Sequence, residues 1–281
     1  MELYRQDIYR GGWFSFNATK EDWSSHYAEK MWDVYFGSVL LDEVYGPREI
    51  TDELLTTRNI DYSSMKDKSV LVIGGGPSCE LLTDDIINSH DFVFSCNHFF
   101  KNNFIKKHKV HLALIGDEVD LRDPEFIEYV NKHNPIVGFE HSATRNTIET
   151  LSFKESYDLN FIYLTRYFSR LGYAIRACVL ARLMGAKIIN FIGVDGFKSK
   201  TKIHAFEEGK KAPGFNDNDK FKKQMEIFYK YMLEDLKIEK ENFNNLSDNH
   251  KDSIYTGILD KVKSKKPPIG SAPNPLASFK L

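Results

Sequence analysis

Ser69–Leu82 reads SVLVIGGGPSCELL, and this stretch decides the fold. The apolar run Val70, Leu71, Val72, Ile73 has the length and composition of a buried strand. It meets Gly74, Gly75, Gly76, Pro77 and Ser78, and a helix-compatible segment opens near Cys79 and Glu80. A strand that feeds a glycine turn and then a helix brings backbone N–H groups and a helix N-terminus toward a phosphate. Glycine permits close approach, proline suits a first helical turn, and Ser78 adds a hydroxyl donor. The expectation is a nucleotide held at Gly74–Ser78. The plainer alternative is a strand-to-helix turn with no ligand.

Two common phosphate chemistries are excluded. A dinucleotide fingerprint needs G-x-G-x-x-G/A. Counting from Gly74 and Gly76, its third position is Cys79, too large for close helix packing. The next strand, Phe92–Cys96, ends at Asn97, where that fingerprint wants an acidic ribose ligand. No G-K-S/T follows the turn, which excludes a P-loop.

Working outward, further strand candidates are Leu112–Ile115, Pro135–Phe139, Phe161–Leu164 and Ile188–Ile192. Helical stretches separate several of them, notably Arg170–Met184. This alternation predicts an α/β fold: a single Rossmann-like parallel sheet with helices on both faces. Ligands of such sheets sit at the carboxyl ends of the strands. Those ends carry Gly74–Ser78, Asn97, Gly116–Asp117, Thr165–Arg170 and Gly193–Asp195.

Three segments are expected: 1–66, an aromatic-rich helical extension; 67–250, the nucleotide-binding domain; and 251–281, a C-terminal helix and basic tail. The first holds all three tryptophans, Trp13, Trp23 and Trp32. There Thr19 and Asp22 suggest a helix start, and Trp23, Tyr27 and Met31 recur at helical spacing to about Leu41. Residues 198–219, KSKTKIHAFEEGKKAPGFNDND, read as a long polar lid after the last main strand. A helix over about 220–236 and a short strand near Asn242–Leu246 follow. Residues 261–281 hold five lysines and no acidic residue.

With 281 residues, 42% hydrophobic and 28% charged, the composition is that of an ordinary globular chain. A net charge of -2 excludes a polycation, so any nucleic-acid contact needs a local patch. The dispersed cysteines, Cys79, Cys96 and Cys178, argue against a disulfide framework and a zinc site, and predict a reducing, cytoplasmic setting. No apolar run approaches the roughly 18 residues of a membrane span.

The ordered set SVLVIGGGPS, FSCNHFF, SRLGYAIRACVLARLMGAKIINFIGVDGF and HAFEEGKKAPGF resembles the bacterial sialyltransferases of glycosyltransferase family 42. The Maf flagellin-glycosylation and pterin-pyrophosphokinase-like domains share the pattern. The likeness spans roughly residues 68–250 and implies a GT-A-like variant of the sheet. It implies a CMP- or UDP-sugar as co-substrate, with no tightly bound cofactor and no metal. Gly74, Gly75, Gly76, Pro77, Ser78, Asn97 and Gly193 would hold the nucleotide. Arg170, before the long helix, matches an arginine close to the reacting groups and suits an anion clamp. His204 stands where the family has a tyrosine facing the leaving phosphate, and Phe215 where it has its base histidine. Gly75 replaces an asparagine. Asp117 becomes the leading base candidate, with Asp195 the alternative. If a cation is required, Asp217 and Asp219 are the first suspects.

The resemblance implies a glycosyltransferase acting on a hydroxyl acceptor: a surface glycan, a protein, or hydroxymethylcytosine in phage DNA. DNA contact would run through the N-terminal aromatics and the C-terminal lysines. An ATP- and Mg²⁺-dependent pyrophosphokinase and a non-catalytic nucleotide- or DNA-binding module are the alternatives.

Overall fold

The computed structural model describes residues 65–116, 119–140, 160–164, 171–196, 198, 204–206 and 218–264, with three short strands nearer the N-terminus. In chain order the strands are β1 (Tyr4–Arg5), β2 (Phe14–Ser15), β3 (Leu55–Thr56), β4 (Ser69–Ile73) and β5 (Phe92–Cys96). Then come β6 (Leu112–Ile115), β7 (Ile136–Glu140), β8 (Asn160–Leu164), β9 (Ile188–Ile192) and β10 (Phe243–Asn245). The helices are α1 (Asp84–Asn88), α2 (Pro124–His133), α3 (Tyr173–Leu183), α4 (Asn218–Lys230) and α5 (Ile258–Ser264).

β1 and β2 form a small antiparallel pair. The other strands make one 8-stranded sheet in the order β10-β9-β4-β5-β6-β7-β8-β3. All neighbours in it run parallel except β3, which pairs antiparallel with β8. The expected α/β parallel sheet is what the chain forms. The seven strand candidates read from the sequence correspond to β4–β10. β3 and the β1–β2 pair were not foreseen.

The central strands are apolar along their length because both faces are covered. On one face Val70, Val72, Phe94, Leu112, Leu114, Ile189 and Phe191 pack against α3, α4 and α5. On the other, Leu71, Ile73, Val93, Ala113 and Ile115 meet Ile87 of α1 and Phe126 and Tyr129 of α2. Local signals agree with this packing. Asp123 caps α2 by accepting from the Glu125 N–H at 2.9 Å, Pro124 opens it, and Asn134 closes it in the left-handed region. α3 is covered on all sides: Ala174 to Ala181 are all buried, small and aliphatic side chains together with Arg176, whose guanidinium lies 5.3 Å from the Tyr173 ring centre. From β4 the chain steps through β5, β6, β7 and β8 in one direction. It then returns to place β9 on the other side of β4. The strand order therefore reverses between β4 and β9, and the carboxyl edge at such a switch point is where parallel sheets bind ligands.

The N-terminal helix, most of the 198–219 lid and residues 265–281 lie outside the described residues. Among the described residues, no helix is long and apolar enough to cross a membrane.

Candidate functional site

The register sets the ends of β4, β5 and β9 level, with Ile73 opposite both Ser95 and Ile192. From there the glycine turn leans on the β9 loop. The Gly74 N–H donates to the Ile192 carbonyl at 2.8 Å and that of Gly76 to Gly193 at 2.7 Å. A side chain would break this fit. A Cβ on Gly74 would lie 2.6 Å from the Gly193 oxygen, and one on Gly76 would run into Asp195 Oδ2. Gly193 has φ +77 and holds the Cys79 sulfur 2.6 Å from its own Cβ position. The Cys79 thiol donates to the Gly74 carbonyl at 2.9 Å. The residue that rules out a dinucleotide fingerprint thus caps the turn from inside.

In the structure the N–H groups of Gly74, Gly76 and Ser78 are accepted by Ile192, Gly193 and Asp195. The Ser78 hydroxyl is turned inward. It is fully buried, 2.6 Å from Ser247 Oγ, and accepts the Gly193 N–H at 2.9 Å, while Ser247 shares that N–H at 3.1 Å. Ser78 fastens the β4 loop to the β9 and β10 loops. Pro77 opens the short 3-10 turn Pro77–Leu81 as expected.

Gly75 presents a different face. Its missing side chain makes room for an imidazole: a Cβ there would lie 2.6 Å from His204 Cε1 and 2.9 Å from Nε2. The Ala205 N–H donates to the Gly75 carbonyl at 2.7 Å, and the His204 ring meets Phe206 edge-on at 5.7 Å. Residues 204–206 are thereby laid on the turn, with His204 half-buried above it.

Asp195 follows β9 and is 2% exposed. Its Oδ2 accepts the Ser78 N–H at 2.9 Å, and its carbonyl accepts the Ile254 N–H at 2.9 Å. Its Oδ1 is buried and has no hydrogen-bond partner among the described residues. Burial pushes the carboxyl pKa up, against the opposing pull of the Ser78 hydrogen bond. An orphaned, desolvated carboxylate oxygen costs free energy unless a donor arrives.

Asn97 closes β5 with φ +50, a left-handed backbone that asparagine tolerates. Its N–H donates to Leu114, and its Oδ1 accepts the Gly116 N–H at 3.0 Å. It ties the ends of β5 and β6 together. Tyr173, at the start of α3, covers Gly116 so closely that a Cβ there would lie 2.7 Å from its hydroxyl oxygen.

The structure thus gathers Gly74, Gly75, Gly76, Ser78, Gly193, Asp195 and His204 into one cluster at the carboxyl edge, with Asn97 at the neighbouring strand end. Arg170, Asp117, Phe215 and Asp217 lie outside the described residues, and Asp219 is exposed in the first turn of α4. Among the described residues, no three His, Cys, Asp or Glu side chains converge in a metal-binding cluster. Sequence reading assigned no role to Ser247, His250, Glu80 or Tyr173. Glu80 and Tyr173 lie inside quoted motifs and Ser247 and His250 in none, and each matters through a contact made by folding.

No family model and no curated protein matches the sequence. The chain is similar to solved sialyltransferases. CstII from Campylobacter jejuni with the substrate analogue CMP-3FNeuAc shares 17% identity over 68% of this chain and 85% of that chain, at a TM-score of 0.48. The same enzyme with cytidine-5'-monophosphate gives 17% identity, 69% and 84% coverage, and a TM-score of 0.49. A mammalian sialyltransferase gives 12% identity, 76% and 84% coverage, and a TM-score of 0.42.

Proposed function

We propose that the protein is a glycosyltransferase whose nucleotide-sugar donor, CMP- or UDP-linked, lies at the carboxyl edge between the β4 and β9 loops. The observation that carries this reading is the pairing of His204 with Gly75 at the switch point of the sheet, together with the buried Oδ1 of Asp195, which has no partner among the described residues. A donor hydroxyl is the group that Oδ1 lacks. An imidazole on the turn suits a departing phosphate.

In this reading the bond between the anomeric carbon and the phosphate oxygen breaks as the acceptor oxygen bonds to that carbon. His204 hands a proton to the leaving phosphate, and Arg170 neutralises its charge. The acceptor hydroxyl gives its proton to a base, for which Asp117 is our candidate. Asp195, with one oxygen held by Ser78 and little exposure, suits substrate binding better than proton abstraction. The sequence resemblance makes a CMP-linked sugar the first donor to try.

A thermal-shift screen with CMP, UDP, GDP and ATP tests the reading. Stabilisation by CMP or UDP is expected, growing with ligand concentration as mass action requires. A response to ATP alone, dependent on Mg²⁺, would favour the pyrophosphokinase. No response to any of the four would remove the nucleotide site.

A further inference from the structure

The glycine turn is backed by a segment far from it in sequence. After β10 the chain from Leu246 to Tyr255 runs beneath the β4 and β9 loops and touches both repeatedly. Leu246 N–H donates to the Phe191 carbonyl at 2.8 Å, Ser247 meets Ser78 and the Gly193 N–H, and Ile254 N–H holds the Asp195 carbonyl. Gly196 has φ +72 and no room for a Cβ, because the Ile254 side chain occupies it. In the middle of this strap sits His250, only 5% exposed. Its Nε2 lies 2.7 Å from Oε1 of Glu80, in the short helix that Pro77 opens. Its Nδ1 accepts the Asp252 N–H at 3.2 Å, which assigns the Nε2 proton to the bond with Glu80. Lys251 Nζ lies 3.7 Å from the same Glu80 oxygen.

We propose that His250 is a positioning residue for the nucleotide site: through Glu80 it fixes the Pro77–Leu81 turn, and with it the Ser78 N–H that orients Asp195 and the placement of Gly75 under His204. This inference rests on the glycosyltransferase reading above. Both ring nitrogens are already engaged, Nε2 with Glu80 and Nδ1 with the Asp252 N–H, so neither is left for a substrate. Its effect reaches the ligand only by setting the loop that Asp195 and His204 face. The Ser247 hydroxyl fastens the same turn from the other side, so the strap grips it at two points, 78 and 80.

The test is calorimetric titration of CMP and UDP into the full chain and into His250→Ala, His250→Gln, Glu80→Ala and the double alanine variant. Glutamine places an amide donor where Nε2 stands. His250→Ala and Glu80→Ala should each weaken nucleotide binding about tenfold, the scale of losing one charged hydrogen bond. His250→Gln should restore most of the affinity. The double variant should be no weaker than either single one, because both remove the same contact. In turnover, the donor KM should rise in both single variants and return toward the wild-type value in His250→Gln. Wild-type affinity in a folded His250→Ala variant, additive losses, or no rescue by glutamine would overturn the proposal. Should His250→Ala not fold, Glu80→Ala decides alone, since the Glu80 side chain is 48% exposed. Wild-type protein that binds neither nucleotide overturns the nucleotide reading and this inference with it. Binding that none of the variants alters overturns the strap alone.

Discussion

Gly75→Ala separates catalysis from folding. The backbone at Gly75 does not need the left-handed region, so alanine brings no conformational strain of its own. What the new methyl meets is His204: Cε1 at 2.6 Å, Nε2 at 2.9 Å and Nδ1 at 3.2 Å. Ordinary contact begins at 3.4 Å, so the ring must retreat by about 0.8 Å. A half-buried side chain can make that move for roughly 1 kcal/mol, the low end of overpacking costs. In a chain of this size that lowers Tm by about 2–4 °C. The same displacement at a group that meets a departing phosphate costs on the order of 100-fold in rate. Release of nucleotide from the donor should therefore fall about 100-fold while the melting transition stays cooperative. In a His204→Ala background the alanine at 75 should have no further effect, because nothing remains to displace. Gly74→Ala is the control. Its methyl would strike the Gly193 carbonyl at 2.6 Å and Ala174 at 2.9 Å, so it should lower stability by roughly 1–3 kcal/mol. A Gly75→Ala enzyme with wild-type turnover, or additive losses with His204→Ala, would refute the reasoning.

Ser78→Ala removes one hydroxyl from the Ser78–Ser247–Gly193 lock and leaves the Gly193 N–H to Ser247 alone. It should cost about 1–2 kcal/mol by urea denaturation, and no loss would show the lock to be idle. Asp195→Asn should act in opposite directions on stability and binding. Because burial raises the folded pKa of Asp195, its proton is held more tightly in the folded state. That contribution is complete below the ordinary carboxylate value of about 3.9 and is lost as pH rises through the folded value. The asparagine variant escapes the loss. It should melt above the wild type at pH 8, with the difference shrinking toward pH 4; a pH-independent difference contradicts this. Its amide oxygen must take the Ser78 N–H, which leaves an –NH₂ where Oδ1 stood, so nucleotide affinity should fall about tenfold in calorimetry.

The sheet was legible because buried parallel strands are continuous apolar runs, and Val70–Ile73, Phe92–Cys96 and Leu112–Ile115 are bounded by glycine or polar residues. β3 was not, since two residues, Leu55 and Thr56, give no periodicity to read. The cluster was legible from where Gly74–Ser78 and Gly193–Asp195 fall relative to strand ends. Its inner workings were not. Gly75 suggested the approach of a phosphate, whereas what approaches is an imidazole from residue 204; both demands leave the same glycine in the sequence. Ser78 looked like a ligand donor because its partner, Ser247, stands 169 residues away. The N–H groups of Gly74 and Gly76 looked available for the same reason: only the folded β9 loop supplies their acceptors. Cys79 was read by its size alone, and size is what caps the turn and forces glycine at 193.

The central claim is that His204, held on Gly75, acts on the leaving phosphate of a nucleotide sugar. The direct measurement is release of free nucleotide from CMP- and UDP-sugars, followed with a hydroxyl acceptor present, by wild type and by His204→Ala. Release and sugar transfer by the wild type, unaffected by EDTA, are expected. A rate at least about 100-fold lower is expected in the variant, the usual scale for losing a general acid. Equal rates in the two proteins, or no release from any nucleotide sugar by the wild type, would contradict the claim.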